Sequence, residues 1–274
     1  MPPSDSSADK QESKCNDVKA ETLQKCRSAI FFDWDDTLLS SSVLWRLGYR
    51  LDSQIDPTDI TLHKQLRELE QVVISILKKA ATYGKVHVVT NGETGWVQRS
   101  AEKFIPAVVP YLSSVDIISA RSTFEVQYPE DPLKWKVCAF ESRLKTFFGS
   151  GASSTKVDVI SFGDSHVERE AIRIATKGIA DTRTKSVKFA ERPSMEQLRR
   201  QIELIHNCFH FIHEHDGDLD LQLTITEHTN NNTQQQSPAT PSPSSHSPNA
   251  CEREQARQQP YVAPPPACVT SAAS

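Results

Sequence analysis

Three acids, Asp33, Asp35 and Asp36, fall within four residues at the end of the apolar run AIFF, and Thr37 follows them. A single Asp in such a place caps a helix or fixes a turn as a matter of course. Three together repel one another, and their packing is costly unless a cation offsets the charge. A second set, Gly163, Asp164, Ser165 and Glu168, follows the apolar run VISF, and a third, Thr90, Asn91 and Gly92, follows VHVV. Lys134 and Lys136 stand at the start of a further apolar pattern, WKVCAF. Carboxylates of this kind, with few other donors, suit Mg²⁺, which keeps several waters and leans on substrate phosphate.

The segments that must position these residues alternate between two periods. Short runs rich in β-branched or aromatic residues occur at Ala29–Phe32, Val86–Val89, Val115–Ile118, Val157–Phe162 and Val187–Phe189. They are apolar enough to be buried on both faces, as parallel strands are. Between them Leu62, Leu66, Leu69, Val73, Ile76 and Ala80 recur at spacings of three and four, as do Val97, Ala101 and Phe104, and Val137, Phe140, Leu144 and Phe147. Strand alternating with helix predicts an α/β domain, a Rossmann-like parallel sheet with helices on both faces. In such a sheet ligands bind at the carboxyl ends of the strands, which is where every acid named above would stand. A final helix is expected over residues 194–213, with Met195, Leu198, Ile202, Ile205, Phe209 and Ile212 on one stripe. That stripe is too short for a stable coiled coil, so docking onto the domain itself is the expected use.

The motifs then carry a resemblance. FFDWDDTLL resembles the first motif of the haloacid dehalogenase-like superfamily, an apolar strand followed by DxDx[TV]. VVTNG resembles its second motif, and VISFGDSHVE its fourth, with Glu168 in place of the final Asp. Asp36 departs from the commoner glycine at its place. For the lone lysine of the third motif Lys136 is preferred to Lys134, because it begins the apolar helical face.

The resemblance implies a Mg²⁺-dependent phosphomonoesterase. Asp33 would be the nucleophile that forms an aspartyl-phosphate, and Asp35 the acid and then the base. Thr90, Asn91 with the neighbouring backbone amide, and Lys136 would hold the phosphoryl oxygens. Mg²⁺ would sit on Asp33, the main-chain carbonyl of Asp35 and Asp164, with Glu168 in support. Thr90 would precede a helix beginning near Glu93, whose N-terminus favours anions. Asp33 to Thr90 spans 57 residues and Thr90 to Lys136 spans 46, which leaves no room for a large cap domain. Leu38–Ile55 has the length for a flap or small helical lid. An open site suits a phosphoprotein or other macromolecular substrate. The rivals are a receiver-like module, disfavoured because VDIIS ends in no acid, and a non-catalytic interaction or scaffold protein on the same fold.

Composition bounds the rest. The 274 residues carry a net charge of −4, which argues against nucleic acid or membrane phosphates as the main partner. No apolar run is long enough to span a bilayer, and MPPSDSSADKQESKC lacks the core of a secretory signal. Six scattered cysteines form no disulfide framework, and a cytoplasmic or nuclear setting is expected. Residues 1–27 read as a disordered leader, 28–225 as the phosphatase domain, and 226–274 as a disordered Ser/Pro/Gln/Asn-rich tail, a candidate for binding other proteins. His206, His210 and His213 share a helix face, yet a polar face explains them better than zinc does. Trp34 is expected to pack beneath the sheet, and Arg121 stands where it would meet an anion or remain a loop cation. Asp216, Asp218 and Asp220 alternate but lack the terminal Glu of a calcium loop.

Overall fold

A computed structural model describes residues 28–148 and 156–224. The chain divides into two units, Met1–Glu227 and His228–Ser274, and every described residue belongs to the first. The expected leader and tail lie outside the described residues, as do Cys15, Cys26, Cys251 and Cys268. Cys138 and Cys208 are free thiols.

Six strands form one parallel sheet in the order β3-β2-β1-β4-β5-β6. They are β1 (Ser28–Phe32), β2 (Lys85–Thr90), β3 (Asp116–Ser119), β4 (Val157–Gly163), β5 (Thr182–Lys188) and β6 (Leu219–Gln222). β1 is wholly buried, as a central strand covered on both faces must be. Ile30, Phe32, Val86, Val88, Ile160 and Phe162 point to one face, where α2 (Ile60–Ala81), α3 (Trp96–Phe104) and α8 (Met195–Glu214) cover them. Ala29, Phe31, Val89 and Val159 point to the other, under α6 (Pro132–Phe148) and α7 (His166–Thr176). Short helices α1 (Ser41–Arg46), α4 (Val109–Leu112) and α5 (Ala120–Phe124) complete the set. The α/β, Rossmann-like architecture is thus as the alternating periods predict.

The insertions are small. α1 and α2 fill the stretch from β1 to β2, and α3, a 3₁₀ turn and α4 fill that from β2 to β3, so among the described residues no large cap domain is present. Leu38–Ile55 holds one short helix. All six stripe residues of α8 are buried against the domain, next to α2. α8 starts from a capping box in which Ser194 and Gln197 satisfy each other's backbone amides, which fixes where it begins.

Three expectations need correction. β5 starts at Thr182 rather than Val187, because its first half is partly buried and joined to its neighbour through ion pairs and not through apolar side chains. Lys185 is fully buried against Asp158 at 2.8 Å, and Arg183 reaches Asp158 at 2.6 Å. β6 was not expected at all. The acids that lead into it and the one within it bind across to neighbours: Asp216 to Arg183 at 3.0 Å, Asp218 to the Thr184 amide at 2.7 Å, and Asp220 to Arg169 at 2.6 Å. α3 begins at Trp96, not near Glu93, since Gly95 holds a left-handed conformation (φ 85°) just before it.

Candidate active site

Register places the site. Phe32 pairs with Phe162 and with Val88, so the chain leaves β1, β4 and β2 at one edge of the sheet. Asp33 therefore stands beside Gly163 and Asp164, with Thr90 on its other side. Lys136 reaches this edge from α6, on the second face. Its ammonium is 1% exposed and lies 2.5 Å from Asp33 Oδ1 and 2.5 Å from Glu168 Oε1. Lys134 instead extends over the Tyr128 ring, 5.4 Å from its centroid. Of the two candidate lysines only Lys136 meets the acids.

Glu168 serves two partners. One oxygen pairs with Lys136, and the other accepts from the Ser165 amide at 3.1 Å and from the Ser165 hydroxyl. This is the capping box that starts α7. With both oxygens engaged, Glu168 serves in this structure as a counter-ion to Lys136 and as the cap of α7. Gly163 makes room for it, because a Cβ there would run into the Glu168 side chain.

Asp35 turns away from Asp33. Its Oδ2 accepts from Thr90 Oγ1 at 3.2 Å, and both of its oxygens accept from the Trp96 indole Nε1, at 3.0 and 3.2 Å. Thr90 Oγ1 in turn accepts from the Gly92 amide at 2.9 Å. Asp36 takes a left-handed backbone (φ 52°), and its Oδ1 accepts from the Ser42 amide at the start of α1. A residue with a short polar side chain tolerates that conformation best after glycine. Trp34 is fully buried and donates its Nε1 to Ser100 Oγ at 2.9 Å, as its expected place beneath the sheet requires. Asn91 Oδ1, just beyond β2, is buried with no hydrogen-bond partner, a polar atom at this edge still unmatched.

The electrostatics are those of too much negative charge in a dry place. Burial pushes the Asp33 carboxyl well above the usual range; Lys136 opposes this, while Glu168, Asp164 and Asp35 add to it. Asp164 is pushed up to about 7, by burial first and then by Glu168 and Asp36. Asp35 and Asp36 are raised chiefly by burial. Burial pulls Lys136 down, but Asp33 and Glu168 overcome it and keep the ammonium charged. One cation thus serves a crowd of carboxylates. Among the described residues no three His, Cys, Asp or Glu side chains converge to hold a metal by themselves. Mg²⁺ does not need such a cage, because two carboxylates, a main-chain carbonyl, waters and phosphate oxygens satisfy it. The hard oxygen donors and the excess negative charge at Asp33, Asp35 and Asp164 fit that ion.

The other singled-out residues engage partners of their own. Arg121 pairs with Glu125 at 3.0 Å. His213 bonds to Ser28 Oγ at 2.8 Å at the opposite edge of the sheet, and His206 and His210 do not join it in a metal cluster. Trp96, with the Ser41 hydroxyl that also reaches Asp35, was missed by sequence reasoning. The only signal for it was a tryptophan directly after the helix-delaying glycine of GETGW.

Fold and site together define an α/β protein with an acid-and-lysine centre at the carboxyl edge of a parallel sheet. No family model matches the chain, and no curated protein matches it in sequence. Among solved structures, the Legionella pneumophila effector Ceg4, determined with an N-terminal yeast Hog1p sequence, aligns at 14% identity. The alignment covers 66% of this chain and 95% of that one, with a TM-score of 0.36. Likeness at that level does not establish a shared fold.

Proposed function

We propose that this protein is a Mg²⁺-dependent phosphomonoester hydrolase of the haloacid dehalogenase-like type, acting through an aspartyl-phosphate on Asp33. The observation that carries the reading is the meeting of Asp33, Asp35, Thr90, Asp164 and Lys136 at one strand edge, with Lys136 Nζ 2.5 Å from Asp33 Oδ1.

An Asp33 oxygen attacks phosphorus, the bond to the leaving oxygen breaks, and Asp35 supplies that oxygen with a proton. Asp35 then takes a proton from water, which attacks the acyl-phosphate, releases inorganic phosphate and restores Asp33. Lys136 has three N–H donors, of which Asp33 and Glu168 occupy two, so one is left for a phosphoryl oxygen. Thr90 and the chain at Asn91 hold the remaining oxygens, where negative charge grows in the transition state. Asp33, the Asp35 carbonyl and Asp164 would hold Mg²⁺, which would supply the positive charge that lets a carboxylate approach an anionic ester. With only α1 and short connections beside it, the site is open enough for a phosphorylated protein segment.

Hydrolysis of p-nitrophenyl phosphate with and without Mg²⁺, beside Asp33→Asn, tests the reading. Metal-dependent release of phosphate, abolished in a variant with an unchanged circular dichroism spectrum, is expected. Equal release by D33N, or none from wild type with either p-nitrophenyl phosphate or phosphopeptides, would overturn it and favour an interaction protein.

A further inference from the structure

We infer that Trp96 is a positioning residue for Asp35, the indole N–H that keeps this carboxylate aimed while its other hydrogen-bond donors change partners. The inference rests on the hydrolase reading and deepens it at the proton-transfer step.

Three donors reach Asp35: the Trp96 indole, the Thr90 hydroxyl and the Ser41 hydroxyl. They are not equivalent. Thr90 has one hydroxyl proton, and in this structure it goes to Asp35. A phosphoryl oxygen bound at Thr90 takes that same proton, so Asp35 loses the bond when substrate arrives. Ser41 also carries a hydroxyl that rotates to whichever acceptor is better placed. The indole N–H is a donor only, and it lies in the plane of a rigid ring.

Trp96 is held both at its backbone and at its ring. The Trp96 carbonyl accepts from Ser100 Oγ at 2.7 Å, and Ser100 Oγ accepts from Trp34 Nε1 at 2.9 Å in the buried core. Trp34 is the residue directly before Asp35, so the strut that sets Trp96 begins next to the group Trp96 holds. On its other side the ring packs on Gly92, where any Cβ would strike it. An N–H donor also suits both states of the carboxyl, since a protonated acid still offers its carbonyl oxygen as acceptor. Trp96 can therefore hold Asp35 in one orientation through protonation and deprotonation.

The chemistry gives a readout that a merely structural role would not move. A p-nitrophenolate leaves without help from an acid, whereas a benzyl alkoxide of similar size needs a proton. For Trp96→Phe the ratio of kcat/KM for benzyl phosphate to that for p-nitrophenyl phosphate is expected to fall roughly tenfold, the size of one hydrogen bond to a charged group. In an Asp35→Asn background the same substitution is expected to leave the ratio where Asp35→Asn put it, because the group being positioned is gone. Ser100→Ala, which keeps the indole and removes its strut, is expected to shift the ratio the same way by less; it also decides the matter should W96F not fold. A ratio unchanged in W96F and S100A, or an equal further fall in the Asp35→Asn background, would overturn the assignment. Wild type that releases phosphate from neither ester nor from phosphopeptides would overturn the hydrolase reading, and this one with it; active wild type with an unmoved ratio would overturn this one alone.

Discussion

Lys136 runs from α6 into a space where its ammonium touches two buried carboxylates, so removing it acts on folding and on chemistry at once. Breaking a buried ion pair by deleting one partner leaves the other charge uncompensated, at a cost of about 3–5 kcal/mol. Lys136→Met is therefore expected to lower the urea midpoint strongly and to abolish phosphate release. Arginine is not expected to restore either property, since a planar fork cannot replace a compact ammonium wedged between two buried carboxylates. Lys134→Met provides the contrast. Its cation lies over the Tyr128 ring at the surface side of α6, so a change within about 1 kcal/mol is expected by the same denaturation measurement.

At the scale of elements, the junction between α2 and β2 is closely packed against β1. Gly84 joins them, and a Cβ there would meet the Ser28 carbonyl, with the Ser28 Cβ at 2.8 Å. The obstacle is the backbone of the central strand, which cannot yield as a flexible side chain would. Gly84→Ala is expected to cost roughly 1–3 kcal/mol, as overpacking does, read as a shift in the urea midpoint at constant slope. Apolar periodicity made most of this frame legible: β1 to β4, α2, α3, α6 and α8 all stand where runs of period two or of three and four put them. With the strands in place, Asp33, Asp35, Thr90 and Asp164 came out at one edge because a parallel sheet has only one carboxyl edge. What periodicity could not report was burial achieved by charge. The TRTK half of β5 reads as surface, yet Lys185 is fully enclosed because Asp158 neutralises it. Trp96 was hidden for a related reason. Its partner Asp35 is 61 residues away, and a hydrogen bond across such a distance leaves no local pattern.

For the whole molecule, the two ends of the sheet have different characters. The carboxyl edge gathers acids around one lysine. The opposite edge is clasped by Ser28, Asp158, Lys185 and His213, with the His213 carbonyl accepting from Lys185 Nζ. Burial holds His213 below the ordinary imidazole range, against Asp158, and it lowers His87, whose Nδ1 bonds to Asp116 at 3.0 Å. A depressed imidazole is neutral in the folded chain while the unfolded chain still takes up a proton. Its stabilising contribution is complete above the ordinary value near 6.5 and is lost as pH falls from there through the folded value. His87→Gln is thus expected to lower the melting temperature at about pH 8, with the gap to wild type narrowing by about pH 5.5 as the wild type loses that contribution. A gap that is constant across the range would show that His87 does not titrate differently on folding.

β6 is four residues long, and its flanking and interior acids are spent on Arg183, Arg169 and the Thr184 amide. A strand at the margin of a sheet exposes a row of unsatisfied amides and carbonyls, an invitation for another molecule to add itself and begin an aggregate. Short length and alternating charge are the means by which native sheets decline that invitation. The acid triplet DGDLD, which as a sequence looks like a fragment of a calcium loop, thus sits as a guard at one of the two margins that the described sheet presents (the other is β3), where a charged and very short strand discourages polymerisation through further strand pairing.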